Sequence, residues 1–157
     1  MTIETKTAPT MDGLDALYRT QRDRLRRIAY LMTGQAAVAE EIVHDAFIRV
    51  HSHLDTVHSP PAYLRTTVVR LCIAWQQRDR MARERTPYDR QWVDPPEIDE
   101  MWDRLAQLPP DQRVVLVLRY YEDLPLGQIA DVMGCRPVTV RTRIHRALNR
   151  LRKEMTP

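Results

Sequence analysis

The residues with the clearest chemistry form a basic stretch near the end of the chain. Seven basic side chains and no acidic one lie from position 136 to position 153. Arginine, which supplies six of the seven, binds phosphates and guanine through paired N–H groups. This composition is typical of a surface that contacts DNA.

A helical projection of this stretch separates an apolar face from a polar one. At 100° per residue, one face holds Val140, Ile144, Ala147, Leu148 and Leu151. The opposite face holds Thr142, His145, Arg146 and Asn149, and it is flanked by Arg141, Arg143, Arg150 and Arg152. We predict that the polar face enters a DNA major groove, because seven unbalanced charges repel one another without a polyanion. The alternative is a solvent-exposed helix whose arginines only confer solubility.

The residues just before this basic stretch are predicted to form a short helix and a turn that fix where the basic helix begins. Residues 126–133 have the apolar spacing of a short helix, and Gly134 can close that helix with a positive φ. After a turn of three to four residues, Pro137 can begin the next helix, where a missing N–H costs nothing. A short helix, a turn containing glycine and a longer helix together predict a helix-turn-helix motif.

The rest of the chain has helical periodicity nearly throughout. Apolar side chains recur every three to four residues, which predicts helices at residues 14–33, 36–54, 62–80, 98–108 and 109–121. Residues 58–61 contain two prolines and are predicted to form a turn. The β-branched residues at 66–69 would also suit a short strand, but the flanking helices and the segment length favour a helix. We therefore predict an all-α fold.

Residues 81–97 break this pattern and are predicted to form a flexible linker. The segment contains three prolines and few large apolar groups. Residues 81–100 carry three arginines against six acids, whereas the residues on either side are net positive, so the whole chain sums to +3. The sequence therefore predicts two small basic helical domains joined by an acidic linker, after a disordered lead at residues 1–11.

Several classes of protein and site are not expected. No stretch approaches the roughly 20 apolar residues of a membrane span, and the polar N-terminus lacks a signal-peptide core, so we expect a cytoplasmic protein without membrane insertion. Cys72 and Cys135 are too few and too far apart in sequence for a metal or redox pair and are expected to be buried or half-buried. His51 and His53 diverge on a helix, and His58 follows them without a nearby cysteine. We expect no metal, no cofactor and no catalytic residue, and hence not an enzyme.

The second half of the chain resembles region 4 of bacterial RNA polymerase sigma factors. The resemblance rests on Leu108-Pro109-Pro110-Asp111-Gln112-Arg113, on the run from Leu118 to Leu124 and on the helix-turn-helix. The first half resembles region 2 through residues 39–50 and 62–65. Two such regions with a short connector resemble the extracytoplasmic-function (ECF) group, and the paired tyrosines and the Thr-Thr-Val-Val run resemble its actinobacterial sigma-E-type branch. The resemblance implies region 2 at residues 12–80, the linker at 81–97 and region 4 at 98–157.

The resemblance implies that the second helix docks on core RNA polymerase. In the family this helix binds the β′ coiled coil through an acidic motif, and here that motif reads Glu41-Ile42-Val43-His44-Asp45. The implied polymerase-binding residues are Glu40, Glu41, His44, Asp45 and Arg49. The alternative for the two glutamates is a purely local interaction with the helix dipole. A second contact, between region 4 and the β flap, is also implied.

The third helix and the turn before it resemble the part of region 2 that reads the minus-10 element. In the family this part captures unstacked bases of the non-template strand. The implied residues are Ser59, Tyr63, Thr66, Arg70, Trp75 and Arg78. Arg70 and Ala74 depart from the family pattern, which usually has Asn at the first position and Asp or Asn at the second. The alternative for both aromatic residues is a place in the core.

Region 4 of the family reads the minus-35 element with its recognition helix. The implied residues here are Arg136, Thr139, Arg141, Thr142, Arg143, His145 and Arg146. Two positions depart from the family pattern. Arg136 stands where the family commonly has Ser or Pro, and Val138 stands where it commonly has Gly. Arg136 cannot cap the helix as a serine would.

The resemblance therefore implies a sigma factor that binds core polymerase and directs transcription initiation at promoters. It also implies an anti-sigma factor as a further partner. Two alternatives stay open at this point: a stand-alone helix-turn-helix regulator, and a degenerate sigma factor that serves as a protein-binding adaptor. The regulator leaves the acidic second helix without a role, and the adaptor predicts no initiation even with core polymerase.

Overall fold

The computed structural model describes residues 11–79 and 94–155, and the regular structure within those ranges is entirely helical. The predicted all-α fold is confirmed. The predicted lead at 1–11 and the predicted linker at 81–97 fall largely outside the described residues. The helices are α1 (Met11–Thr33), α2 (Ala36–Ser52), α3 (Pro60–Arg78), α4 (Pro96–Leu105), α5 (Pro110–Leu116), α6 (Leu126–Met133) and α7 (Pro137–Met155).

Helices α1, α2 and α3 pack against one another around a shared apolar core. The most deeply buried side chains are those at the expected helical spacing: Ile28, Leu31 and Met32 of α1, Val43, Ala46 and Val50 of α2, and Leu64, Val68 and Val69 of α3. The β-branched residues 66–69 are helical, so the alternative of a strand is excluded. Burial of Val68 and Val69 against two other helices outweighs their β-propensity.

Three helices, α1, α3 and α4, begin earlier than the sequence predicted, and the last two begin at a proline. Helix α3 begins at Pro60, within the predicted turn, and α4 begins at Pro96, within the predicted linker. Proline suits the first helical turn because its φ is already helical and its missing N–H would have no partner there. The start prediction at residue 62 was therefore wrong by two residues.

Helices α4 to α7 form the second group, in which α7 packs on α5 and α6. Its core includes Val114, Val115, Leu118, Ile129 and Val140. Helix α5 continues into one wider π-helical turn at Val117–Tyr121, which ends where Asp123 adopts a positive φ of 53°. The Leu124 N–H then donates to the Leu118 carbonyl and turns the chain toward α6.

The two groups of helices contact each other directly. Helix α1 lies against α4, α5 and the π-helical turn, and α3 lies against α5 and α6. The buried apolar side chains of both groups form one continuous cluster. The two helices implied in reading DNA, α3 and α7, are thus held within one packed arrangement.

Candidate nucleic-acid interface

The turn between α6 and α7 is built as the sequence predicted. Gly134 ends α6 in the left-handed conformation, with φ of 66° and ψ of 35°. This conformation lets the Cys135 N–H donate to the Ala130 carbonyl at 3.0 Å, which satisfies a carbonyl that the helix end leaves open. Pro137 is the first residue of α7. The predicted helix-turn-helix geometry is confirmed.

Helix α7 presents two opposite faces, and the apolar face is the one that the helical projection predicted. Val140, Ile144 and Ala147 are buried, and Leu148 and Leu151 pack at the edge of the core. The outer residues Arg141, Thr142, His145 and Arg146 are exposed. The Asn149 amide lies 3.2 Å from Nε2 of His145, so these two polar side chains support each other on the outer surface. The face can therefore reach a groove without disturbing the core.

The arginines implied in minus-35 binding have different surroundings. Arg141 and Arg146 are exposed, and Arg136 is exposed in the turn before α7. Arg143 is half-buried, and its Nε lies 3.5 Å from a carboxylate oxygen of Asp111 in α5. Thr139 is half-buried as well. The structure thus leaves Arg136, Arg141 and Arg146 the most available for DNA, whereas part of the Arg143 charge is already balanced.

Val138 is an exposed apolar residue on the same surface, with 59% of its area accessible. By sequence, Val138 stands out only as a departure from the family pattern. An exposed aliphatic side chain beside DNA-facing residues can contact the methyl group of thymine. The sequence could have indicated this exposure, because Val138 is the second residue of α7 and lies outside the apolar stripe that begins at Val140.

Four of the six residues implied in minus-10 binding share one side of α3. Ser59, Tyr63, Thr66 and Arg70 are spaced by four, three and four residues, so they fall within about 60° of arc. Trp75 lies five residues beyond Arg70, or about 140° around the helix. Arg78 is exposed in the last turn of α3.

The two aromatic residues of α3 behave differently. Tyr63 is 36% accessible, and its ring centroid is 6.3 Å from that of His53. Trp75 is half-buried and packs at the edge of the core, which fits the core alternative for that residue. Trp75 also lines a groove of about 1190 Å³ between α3 and the second group, together with Met133 and Arg143.

Arg70 also faces the second group of helices. Its Nε lies 3.5 Å from the Val132 carbonyl of α6, and the side chain is otherwise exposed.

The exposed face of α2 holds the residues implied in polymerase binding. Glu41, His44, Asp45 and Arg49 are exposed, and Glu40 is half-buried with one carboxylate oxygen 3.8 Å from Arg22. Ile48, which the sequence analysis did not select, lies in the middle of this face with 53% of its area accessible. A helical projection would have revealed it, since Ile48 falls about 80° from Glu40 and 100° from Arg49.

Other titratable groups do not assemble into a site. Within the described ranges, no group of three or more His, Cys, Asp and Glu side chains could hold a metal ion. Cys72 is buried as expected, and burial raises the pKa of its thiol. Cys135 is half-buried, which also agrees with the expectation. Among the described helices none is long and apolar enough to cross a membrane.

Comparison with known proteins gives consistent matches along the chain. A family model of sigma-70 region 2 matches residues 17–81, and one of sigma-70 region 4 matches residues 98–151. The RNA polymerase sigma-E factor of Streptomyces coelicolor is 28% identical over 146 residues, which cover 87% of this chain and 82% of the relative. The ECF RNA polymerase sigma factor SigL of Mycobacterium tuberculosis is 30% identical over 151 residues, which cover 87% of this chain and 85% of that protein.

A solved structure with a similar fold is that of the sigma factor RpoE in complex with the anti-sigma factor NepR from Bartonella quintana. It superposes with a TM-score of 0.72, covers 94% of this chain and 100% of the solved chain, and is 19% identical in sequence. The similarity extends over both groups of helices.

Proposed function

The chain belongs to the ECF RNA polymerase sigma factors, on the actinobacterial sigma-E branch, and from this premise we propose which of its residues perform each task. It is a promoter-recognising sigma factor, and sigma factors of this group bind core RNA polymerase and promoter DNA. The proposal rests on the observation that the chain has two separate exposed surfaces. One is the basic face of α7, and the other is the face of α2 that carries both acidic and basic residues. A stand-alone regulator would use only the first surface and is not favoured.

The division of labour that we propose follows the two groups of helices. Region 2, at residues 12–80, binds polymerase and the minus-10 element, and region 4, at residues 98–157, binds the minus-35 element. Residues 81–97 connect them. The exposed faces of α2 and α7 support this division, because each face lies on a different group of helices and is backed by buried apolar side chains of that group.

For the minus-35 element, we propose that Arg141 and Arg146 make the principal contacts. Both are exposed, and the guanidinium group of an arginine can donate two hydrogen bonds to one guanine, at its O6 and N7 atoms. Thr142 and His145 contribute hydrogen bonds, whereas Arg136 contacts a phosphate near the N-terminus of α7. Thr139 and Arg143 lie at the border of this surface and hold the phosphate backbone.

For the minus-10 element, the proposed surface is the side of α3 that carries Ser59, Tyr63, Thr66 and Arg70. An exposed tyrosine ring beside hydroxyl and guanidinium groups suits an unstacked base, since the ring offers a stacking surface and the polar groups read its edge. Arg78 would contact the backbone of the same strand. Trp75, which points elsewhere, supports the helix rather than the DNA.

For polymerase, the proposed surface is Ile48 surrounded by Glu40, Glu41, His44, Asp45 and Arg49. An apolar centre within a charged rim is the usual anatomy of a protein interface. The acidic rim suits an arginine-rich partner such as the β′ coiled coil, with the β flap as the partner of region 4. We propose that the chain acts in the cytoplasm, where polymerase is found, and that an anti-sigma factor restrains it.

Runoff transcription with purified core polymerase tests this function. The expected result is a transcript that depends on the chain and whose mapped start site lies downstream of paired minus-35 and minus-10 elements. A chain that binds duplex promoter DNA strongly by itself, and gives no transcript with core polymerase, would instead be a stand-alone regulator.

A further inference from the structure

Helix α7 carries a row of arginines along the edge that lies nearest the start of α5. At 100° per residue, Arg143, Arg146 and Arg150 fall within about 60° of arc on that edge. Side chains three and four residues apart on a helix are neighbours, so these like charges repel one another. Arg146 and Arg150 are exposed, whereas Arg143 is half-buried. The row therefore concentrates positive charge beside the outer face of α7.

One carboxylate, that of Asp111, lies next to this row. Pro110 begins α5, and Asp111 follows in its first turn. A carboxylate oxygen of Asp111 lies 3.5 Å from Nε of Arg143, and the Asp111 side chain is 52% exposed against 29% for Arg143. Both groups can therefore be reached from solvent. The pair joins two helices of the second group, so it does not depend on how that group packs against α1 and α3.

The local roles of Asp111 are small. An acidic residue in the first turn of a helix stabilises the helix through its dipole, and an exposed ion pair contributes little to the free energy of unfolding. Neither role requires the carboxylate to lie beside a row of arginines. The effect of Asp111 on the binding of a polyanion is separate from both roles, because it depends on the local charge rather than on the stability of the fold.

A carboxylate at this position reduces the charge that α7 presents to DNA. Binding of a cationic surface to duplex DNA releases counterions, and each neutralised phosphate contributes about 0.9 to the slope of log K against log salt. An arginine whose charge is already balanced by a carboxylate releases fewer counterions when it meets a phosphate. Asp111 therefore opposes the binding of α7 to DNA of any sequence.

We propose that Asp111 limits the affinity of the free chain for nonspecific DNA by balancing the charge of Arg143. Stable binding to DNA then requires the further contacts that polymerase and the minus-10 strand supply, and the chain is not retained on the large excess of nonspecific sites in a genome. Arg141 and Arg146 keep their charges for the minus-35 element, because neither has an ion pair among the described contacts. The proposal rests on the proposed DNA-binding role of α7.

Replacement of the carboxylate by an amide tests the proposal. Asp111→Asn keeps the size of the side chain and removes its charge, so the full chain should bind a duplex of unrelated sequence about three- to eightfold more tightly at about 0.1 M salt. The slope of log K against log salt should become steeper by about 0.5–0.9. Fluorescence anisotropy of the labelled duplex, between about 50 and 200 mM salt, measures both quantities. Asp103→Asn makes the same charge change at an exposed position of α4 and should alter neither.

A double-mutant cycle shows whether the effect acts through Arg143. In the parent, Arg143→Ala should weaken binding by less than about twofold because the arginine charge is already balanced, whereas in the Asp111→Asn background it should remove most of the gain. An equal gain from Asp111→Asn with and without Arg143 would overturn the proposal, since the carboxylate would then only repel DNA. Weaker binding by Asp111→Asn would also overturn it, since Asp111 would then orient Arg143 toward DNA.

Failure of this proposal and failure of the proposed function give different results. Arg141→Ala and Arg146→Ala should weaken binding to the same duplex if α7 is the DNA-binding surface. If neither substitution does so, the DNA-binding role of α7 is wrong. If both do so and Asp111→Asn has no effect, only the role of Asp111 is wrong. Asp111→Asn should keep the helical circular dichroism of the parent, so a steeper salt dependence would not arise from unfolding.

Discussion

The arginines of α7 differ in how much of their charge is already balanced within the protein. Arg143 has a carboxylate partner in Asp111 at 3.5 Å, whereas Arg141 and Arg146 extend from the outer face without a comparable ion pair among the described contacts. At the scale of single residues, DNA binding should therefore depend unequally on them.

Replacement of Arg141 or Arg146 by alanine should weaken promoter binding. Each substitution should reduce the binding free energy by about 1–3 kcal/mol, because alanine cannot donate the paired N–H hydrogen bonds that the arginine makes to a base or phosphate. Footprinting of the holoenzyme on promoters with single substitutions in the minus-35 element measures both the affinity and the base preference. Arg104→Ala, an exposed arginine at the end of α4, should leave both unchanged. If the variant loses the same affinity on every promoter sequence, the arginine contacts a phosphate rather than a base.

Ile48 is the second residue whose role can be tested in isolation. Because 53% of its area is accessible, Ile48→Asp should change the free energy of unfolding little, yet it should weaken binding to core polymerase by about tenfold or more by placing a charge at the centre of the interface. Titration of labelled protein with core polymerase gives the dissociation constant. Asp15→Ala, on the exposed side of α1, serves as the control. An unchanged dissociation constant for Ile48→Asp would show that this face of α2 does not bind polymerase.

At the scale of elements, the turn between α6 and α7 depends on one glycine. An added Cβ at Gly134 meets nothing within 4 Å, so any cost of a side chain there arises from the backbone conformation at φ of 66°. Gly127, inside α6, has equally open surroundings and no positive φ. The two glycines therefore form a matched pair.

Gly134→Ala should lower the free energy of unfolding by about 1–2 kcal/mol, since alanine disfavours the left-handed region. Gly127→Ala should instead raise it by about 0.5–1 kcal/mol, because alanine is the better helix former. Urea denaturation followed by circular dichroism measures both changes. Equal effects of the two substitutions would show that the left-handed conformation of Gly134 does not set the turn.

At the scale of the whole molecule, the contact between Gly34 and Trp102 decides how closely the two regions pack. An added Cβ at Gly34 would lie 2.0 Å from a carbon of the Trp102 ring, so Gly34→Ala should destabilise the packing between the two groups of helices through this clash and through strain at φ of 71°. In the background of Trp102→Ala the clash is gone, and only the backbone strain of about 1–2 kcal/mol should remain.

A double-mutant cycle on the free energy of unfolding separates these two contributions. We expect a coupling of about 0.5–3 kcal/mol between the two positions, as for residues in direct contact, and additive effects would contradict the packing of Trp102 on Gly34. The Gly34→Ala variant alone should also have a larger radius of gyration than the parent.

Much of the local structure could be predicted from the sequence. The helices, the glycine at the end of α6, the proline at the start of α7 and the buried stripe of Val140, Ile144 and Ala147 all follow from residue spacing. These features depend on contacts between residues three or four apart, which any helical segment repeats. The implied DNA and polymerase residues remain predictions, and the exposure of Ile48 could not be predicted from the charged positions of α2 alone.

What only the tertiary structure decided is how the two regions meet. Arg24 and Glu122 are 98 residues apart in sequence, and Arg27 and Asp94 are 67 apart, so no local spacing links either pair. The net charges of the segments predicted two basic domains joined by an acidic connector. The structure also pairs individual charges across a packed boundary, which net charge alone does not reveal because it averages over all the positions of a segment. The sequence by itself determined the elements and their faces, and tertiary packing determined which of those faces stay exposed.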